Sequence, residues 1–135
     1  MATEMSKGSL LKEYKSLEEV LVDKDLAGLG DAYVNFLYSL VVSQKSGHPT
    51  GAKVNNRVLA KALRKAGLRK FLPRRIDRHV LGNAAEALIV FAWLADTVTF
   101  EDSLKILGQK DDAVEAFAVL LREILERLGK RDEEG

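Results

Sequence analysis

Two stretches of this chain are apolar on nearly every side of a helix, and each carries one carboxylate. The first, roughly residues 25–43, contains Leu26, Leu29, Ala32, Tyr33, Val34, Phe36, Leu37, Leu40 and Val41 around Asp31. The second, roughly residues 77–95, sets Ala84, Ala85, Ala87, Leu88, Ile89, Val90, Phe91, Trp93 and Leu94 around Glu86. A helix that is greasy all round belongs inside a protein or between subunits. Burying an ionised carboxylate without compensation is costly, so each acid needs a cation, a metal or a water-filled cleft. These two segments dictate a core built from helices.

The rest of the chain agrees. No stretch alternates with period two between hairpin turns, so sheet is not expected. A short helix is expected over about residues 10–21, a third over 54–66 ending at Gly67, a fifth opened by Thr99 with Asp102 completing a weak capping box, and a sixth from Asp111 or Asp112 to Leu128, stopped by Gly129. Asp23 or Asp25 is placed to cap the second helix, residues 46–51 have the turn chemistry of a loop, and Pro73 breaks the chain before the fourth helix. Residues 1–7 and 130–135 are expected to be a loose and a frayed tail. The expectation is an all-α domain of about six helices spanning residues 1–135, with no internal repeat.

Crossing the two greasy helices so that Asp31 faces Glu86 would solve both burial problems together. Two hard carboxylates on opposed helices make an oxygen-rich site for Mg²⁺ or Mn²⁺. Asn35, one turn after Asp31, and Asn83, one turn before Glu86, would share those faces. The alternative is that each acid caps something or reaches solvent at a helix edge.

The net charge of +1 conceals an asymmetry. Residues 53–78 hold ten Lys or Arg against Asp77 alone, a local charge of +9 that leaves −8 for the remainder. Arg57, Lys61, Arg64 and Lys65 follow one helical face, and the charge continues through Arg69, Lys70, Arg74, Arg75 and Arg78. A basic face is often merely solvated. A patch this long and of one sign is better suited to a phosphate backbone, with Lys53, Arg57, Lys61, Arg64, Arg74, Arg75 and Arg78 as candidate contacts. Aromatic residues are not interleaved, so the patch does not resemble a single-strand stacking platform.

Other chemistries have no support. The 135 residues include no cysteine, which excludes disulfides, thiolate metal sites and cysteine nucleophiles and fits a reducing, cytoplasmic setting. There is no secretory-leader pattern, and the apolar run over residues 84–95, interrupted by Glu86, is too short to span a bilayer, so no membrane association is expected. His48 sits in a Gly-Pro loop and His79 opens a helix. Neither belongs to a Ser-His-Asp order, a metal motif or a phosphate loop.

The segment Leu26-Ala27-Gly28-Leu29-Gly30-Asp31-Ala32 resembles the ribonuclease III signature, Leu-Glu-Phe-Leu-Gly-Asp-Ala. Val54-Asn55, Leu59-Ala60, Gly67-Leu68 and Phe71-Leu72 are similar to the family's next helix, and Glu86-Ala87-Leu88-Ile89 to its Phe-Glu-Ala-Leu-Ile-Gly segment. The blocks occur in the family's order over about residues 24–96. Asp31 matches the signature aspartate and Glu86 the essential second glutamate. Ala27 stands where the signature has glutamate, and Asn83 where the family has aspartate. The minimal class of these enzymes, which lacks a separate double-stranded-RNA-binding domain, also has Leu-Ala at the signature.

The resemblance implies a compact helical homodimer that hydrolyses phosphodiesters of double-stranded RNA with Mg²⁺ or Mn²⁺. Asp31 and Glu86 would be the catalytic metal ligands, and Asn83 would reach the ion through water. The competing expectations are a ribonuclease III-like RNA-binding or assembly module that has lost catalysis, and an unrelated helical adaptor that uses its apolar helices only as a subunit interface.

Overall fold

A computed structural model describes residues 6–134, and among these the chain forms six α-helices, two short 3-10 turns and no strand. The helices are α1 (Leu17–Leu21), α2 (Lys24–Ser46), α3 (Asn56–Lys65), α4 (Arg78–Leu94), α5 (Phe100–Gly108) and α6 (Ala113–Glu134). The all-α class is therefore as expected.

Helix α4 is the centre of the molecule. Leu81, Ala84, Ala85, Ala87, Leu88, Ile89, Val90, Ala92 and Leu94 are all buried, so most of its circumference faces protein. Helices α1, α2, α3 and α6 all pack on it, and α2 does so most extensively. The alanines let neighbouring backbones come close, while each fully buried leucine contributes roughly 1.5–3 kcal/mol. One continuous apolar cluster joins α2, α3, α4 and α6 through Leu37, Leu63, Leu88 and Phe117.

Helix α2 starts where Asp23 accepts the N–H groups of Asp25 and Leu26 at 2.9 and 3.1 Å. Such a cap is worth about 1 kcal/mol. The helix runs to Ser46, three residues beyond the expected end, because Gly47 supplies the left-handed cap at φ 81°. Of its 23 residues, Leu26, Gly30, Tyr33, Val34, Leu37 and Val41 are buried. By length and composition α2 passes the test for a membrane span. Here it serves as a helix of the packed domain, covered on one side by α4.

The segment after α2 is docked by a polar stripe. Asn35 Oδ1 accepts the N–H of Val54 at 2.8 Å, Ser39 Oγ that of Ala52 at 2.8 Å, and Ser43 Oγ that of Thr50 at 2.9 Å. Helix positions four apart thus meet alternate residues of an extended chain, satisfying backbone groups that no sheet is present to pair. Val54 belongs to this docked segment, so α3 begins two residues later than expected, capped by Asn55. It is followed by Gly67 at φ 82°, the expected left-handed stop.

Three further expectations need correction. The helix expected over residues 10–21 is a 3-10 turn at Lys7–Leu10, an irregular stretch and the five-residue α1, because Ser16 caps a new start there by accepting the N–H of Glu19. Thr99 caps α5 by accepting the N–H of Asp102, but the Asp102 carboxylate pairs with Arg127 instead of completing the box. Gly129 does not stop α6, which continues to Glu134. Arg131 secures that end by donating to Ala95 O and Thr97 Oγ1 at 3.1 and 3.0 Å. Residues 130–134 are therefore helical where fraying was expected, and Gly135 lies outside the described residues. Residues 1–5 of the expected N-terminal tail also lie outside them, whereas Ser6 caps the first 3-10 turn and Lys7 belongs to it.

Candidate active site

Helices α2 and α4 cross at Gly30. A Cβ on Gly30 would overlap the Glu86 carbonyl, lying 2.6 Å from its carbon, so only glycine permits this approach. The next residue on α2 is Asp31, and the contact brings its carboxyl within hydrogen-bonding reach of Glu86. The two environments differ. Asp31 is exposed, whereas Glu86 is 6% exposed.

Burial, joined by the hydrogen bond and the like charge of Asp31, pushes the Glu86 carboxyl up to about 8. Without a cation, that raised value keeps the Glu86 carboxyl protonated at neutral pH. Asn35 holds Asp31 in place, its Nδ2 donating to Oδ1 at 3.2 Å while its own Oδ1 is bound to Val54. Sequence spacing put Asn35 on the Asp31 face, but the docking of Val54 was not anticipated. Its only signal was the run of Asn35, Ser39 and Ser43 at intervals of four.

A cleft of about 800 Å³ opens over the pair and is lined by Asp31, Glu86 and Asn83 together with Lys24 and Asn56. Asn56 was missed by the sequence. Its Nδ2 lies 3.1 Å from His79 Nδ1, and Gly82 packs so closely that a side chain there would strike the Asn56 amide. Ala27 and Gly28 form part of the wall without adding charge.

The donor set is all oxygen, suited to Mg²⁺ or Mn²⁺ rather than to soft metals. Among the described residues no cluster of three or more His, Cys, Asp or Glu could hold a metal ion. Asp31 and Glu86 are the carboxylates that could hold such an ion, with waters and substrate completing its ligands, which is how Mg²⁺ commonly binds.

The basic residues remain at the surface. Lys53, Arg57, Lys61, Arg64, Arg74, Arg75 and Arg78 are exposed, and none forms an ion pair among the described residues. Arg57, Lys61 and Arg64 lie on the solvent face of α3, opposite the buried Leu59, Ala60, Ala62 and Leu63. Two other members of the basic segment have structural work. Lys65 pairs with Glu115, and the Arg69 guanidinium donates to the carbonyls of Leu72, Pro73 and Arg74.

Comparison with known proteins adds one finding. The family model described as Ribonuclease III matches residues 24–130, which include α2 through most of α6 and both carboxylates. No individually curated protein matches the chain.

Proposed function

This chain belongs to the ribonuclease III family, and from that premise we propose that it is an endoribonuclease hydrolysing double-stranded RNA with Mg²⁺ or Mn²⁺. The convergence of Asp31 and Glu86 beneath an open cleft carries this reading. When bound there, the divalent cation supplies activation of a water and neutralises charge on the phosphoryl oxygens. Asp31 and Glu86 would hold it, with Glu86 releasing its proton to solvent as the ion bound. Asn83 orients water from the cleft wall through its neutral amide. Asn35 keeps the Asp31 carboxylate turned toward the site. Lys53, Arg57, Lys61, Arg64, Arg74, Arg75 and Arg78 position the duplex through its backbone, since an A-form helix is recognised by shape, phosphates and 2′-hydroxyls.

The active form in this reading is a cytoplasmic homodimer. Its support is the outer side of α2, where Leu29 is 42% and Phe36 56% exposed, two turns apart on one face. Packing these across a two-fold axis would cover them and set two sites on one duplex.

The test is cleavage of duplex RNA in Mn²⁺ by the wild type beside Asp31→Asn and Glu86→Gln. Cleavage by the wild type alone supports the reading, and persistence in both variants places the chemistry elsewhere. One observation favours a second reading: of the four acidic positions in the family pattern, this chain keeps Asp31 and Glu86 and has Ala27 and Asn83 at the others. Duplex binding by the wild type without cleavage would identify a non-catalytic RNA-binding or assembly module.

A further inference from the structure

The cleft is lined by one cation, and no acid among the described residues pairs with it. Lys24 is the only Lys or Arg among the residues lining the cleft, and it lies seven residues, or two turns, before Asp31 on α2. The acids beside it in sequence have other partners. Asp23 accepts the Tyr14 hydroxyl at 2.7 Å and two backbone N–H groups, while Lys12 lies 3.7 Å from Asp23 and 3.6 Å from Asp25. Lys24 makes no ion pair among the described residues. One turn on, Ala27 offers no charge to engage it.

Charge balance gives this cation a role. Asp31 and Glu86 offset one divalent cation and Lys12 offsets Asp23, the third acid of the lining, which leaves the single negative charge of a phosphodiester uncompensated. The walls contributed by Ala27, Val54 and Val80 are apolar and screen that charge poorly. Four carboxylates would have supported further metal charge, but this site does not supply them. The Lys24 ammonium, exposed at the same cleft, provides the missing unit of positive charge.

We propose that Lys24 is a substrate-contacting residue of the cleft, its ammonium meeting a non-bridging oxygen of the RNA phosphate addressed by Asp31 and Glu86. The inference rests on the nuclease reading for the identity of that phosphate. It assigns Lys24 a different part from the basic face of α3, because Lys24 acts at the reacting group whereas Arg57, Lys61 and Arg64 act along the flanking backbone.

The experiment compares wild type, Lys24→Met and Lys24→Arg in two measurements. The first is duplex affinity against salt with Ca²⁺, a hard cation that takes the same oxygen ligands. Losing one phosphate contact should lower the logarithmic salt slope by about one unit in Lys24→Met and leave it intact in Lys24→Arg. The second is the single-turnover cleavage rate at saturating protein in Mg²⁺. Loss of one charge-stabilising donor at the reacting centre should lower this rate about 10²-fold, with Lys24→Arg recovering much of it. An unchanged slope in Lys24→Met overturns the proposal, whatever happens to the rate. So does a changed melting temperature with unchanged slope, which would make Lys24 a counter-ion of the adjoining pocket it shares with Glu13, Glu19 and Asp25. A slope change in a protein that binds duplex but never cuts it removes the nuclease reading and leaves the Lys24 contact standing. A wild type that does not bind duplex removes both.

Discussion

Gly30 on α2 lies against the main chain of Glu86 on α4, so the residue that allows the helices to touch is the neighbour of the residue that meets Glu86. The site and the tightest helix contact are one feature. Gly30→Ala should therefore lower stability by about 1–3 kcal/mol through overpacking and also separate the two carboxyls. Thermal unfolding should show the first effect. The second should appear as weaker Mn²⁺ binding by calorimetry at a temperature where the variant remains folded. Full stability in Gly30→Ala would mean the helices do not cross at this point.

Glu86 sets a pH dependence whose sign follows from its raised value of about 8. Between the ordinary glutamate range and about pH 8 the folded protein binds a proton that the unfolded chain releases. This contribution to stability is full below the ordinary range and is lost as pH rises toward 8. Glu86→Gln removes the ionisation, so its melting temperature should exceed that of the metal-free wild type at pH 8.5 and converge with it near pH 5. Mg²⁺ competes with the same proton, so wild-type metal affinity should rise across pH 6.5–8.5. A melting difference between Glu86→Gln and wild type that does not vary with pH would contradict this.

Restoring a carboxylate at residue 83 probes the orientation of α4. Asn83 lines the cleft with Asp31 and Glu86. Asn83→Asp should tighten Mg²⁺ or Mn²⁺ binding by roughly an order of magnitude, because affinity for a hard cation rises with ligand charge. It should preserve or increase cleavage. Calorimetric titration of metal into the RNA-free protein checks this directly, and weaker binding than wild type would mean that residue 83 does not address the ion.

The exposed cations of α3 should act together on RNA. Replacing Arg57, Lys61 and Arg64 with Glu should weaken duplex binding regardless of sequence and flatten its salt dependence. The fold should survive, since none of the three makes an ion pair among the described residues. Anisotropy titrations at several salt concentrations, beside circular dichroism, give the result. Unchanged affinity and slope would exclude this face as the RNA surface.

The outer face of α2 should govern assembly. Phe36→Glu places a charge beside Phe100, onto which Phe36 stacks with ring centroids 5.7 Å apart. At micromolar concentration light scattering should give a dimer for the wild type and a monomer for Phe36→Glu and Leu29→Glu. A monomeric wild type would remove the dimer from the proposed function.

Much of this protein was legible in its sequence because the signals are local. The greasy circumference of residues 81–94 required a central helix, Asp23 or Asp25 and Thr99 marked helix starts, and Gly67 marked a stop. The pairing of Asp31 with Glu86 was one of two readings the sequence left open, because each acid stood alone in an apolar helix and needed either a partner or a route to solvent. What the sequence could not determine depends on contacts between distant residues. Gly129 has the residue type of a helix stop, yet Arg131 reaches Ala95 and Thr97 and the helix continues past it. Lys65 and Arg69 looked interchangeable with their basic neighbours until Glu115 and the carbonyls after Phe71 engaged them. Nor does any local pattern show that Glu86 is buried while Asp31 is exposed, or that Lys24 shares their cleft. Helix period and capping act over a few residues, so composition and spacing encode them. Burial, pairing and the contents of a cleft are set by which helices cross and where, and here the missing side chain of Gly30 fixes that crossing.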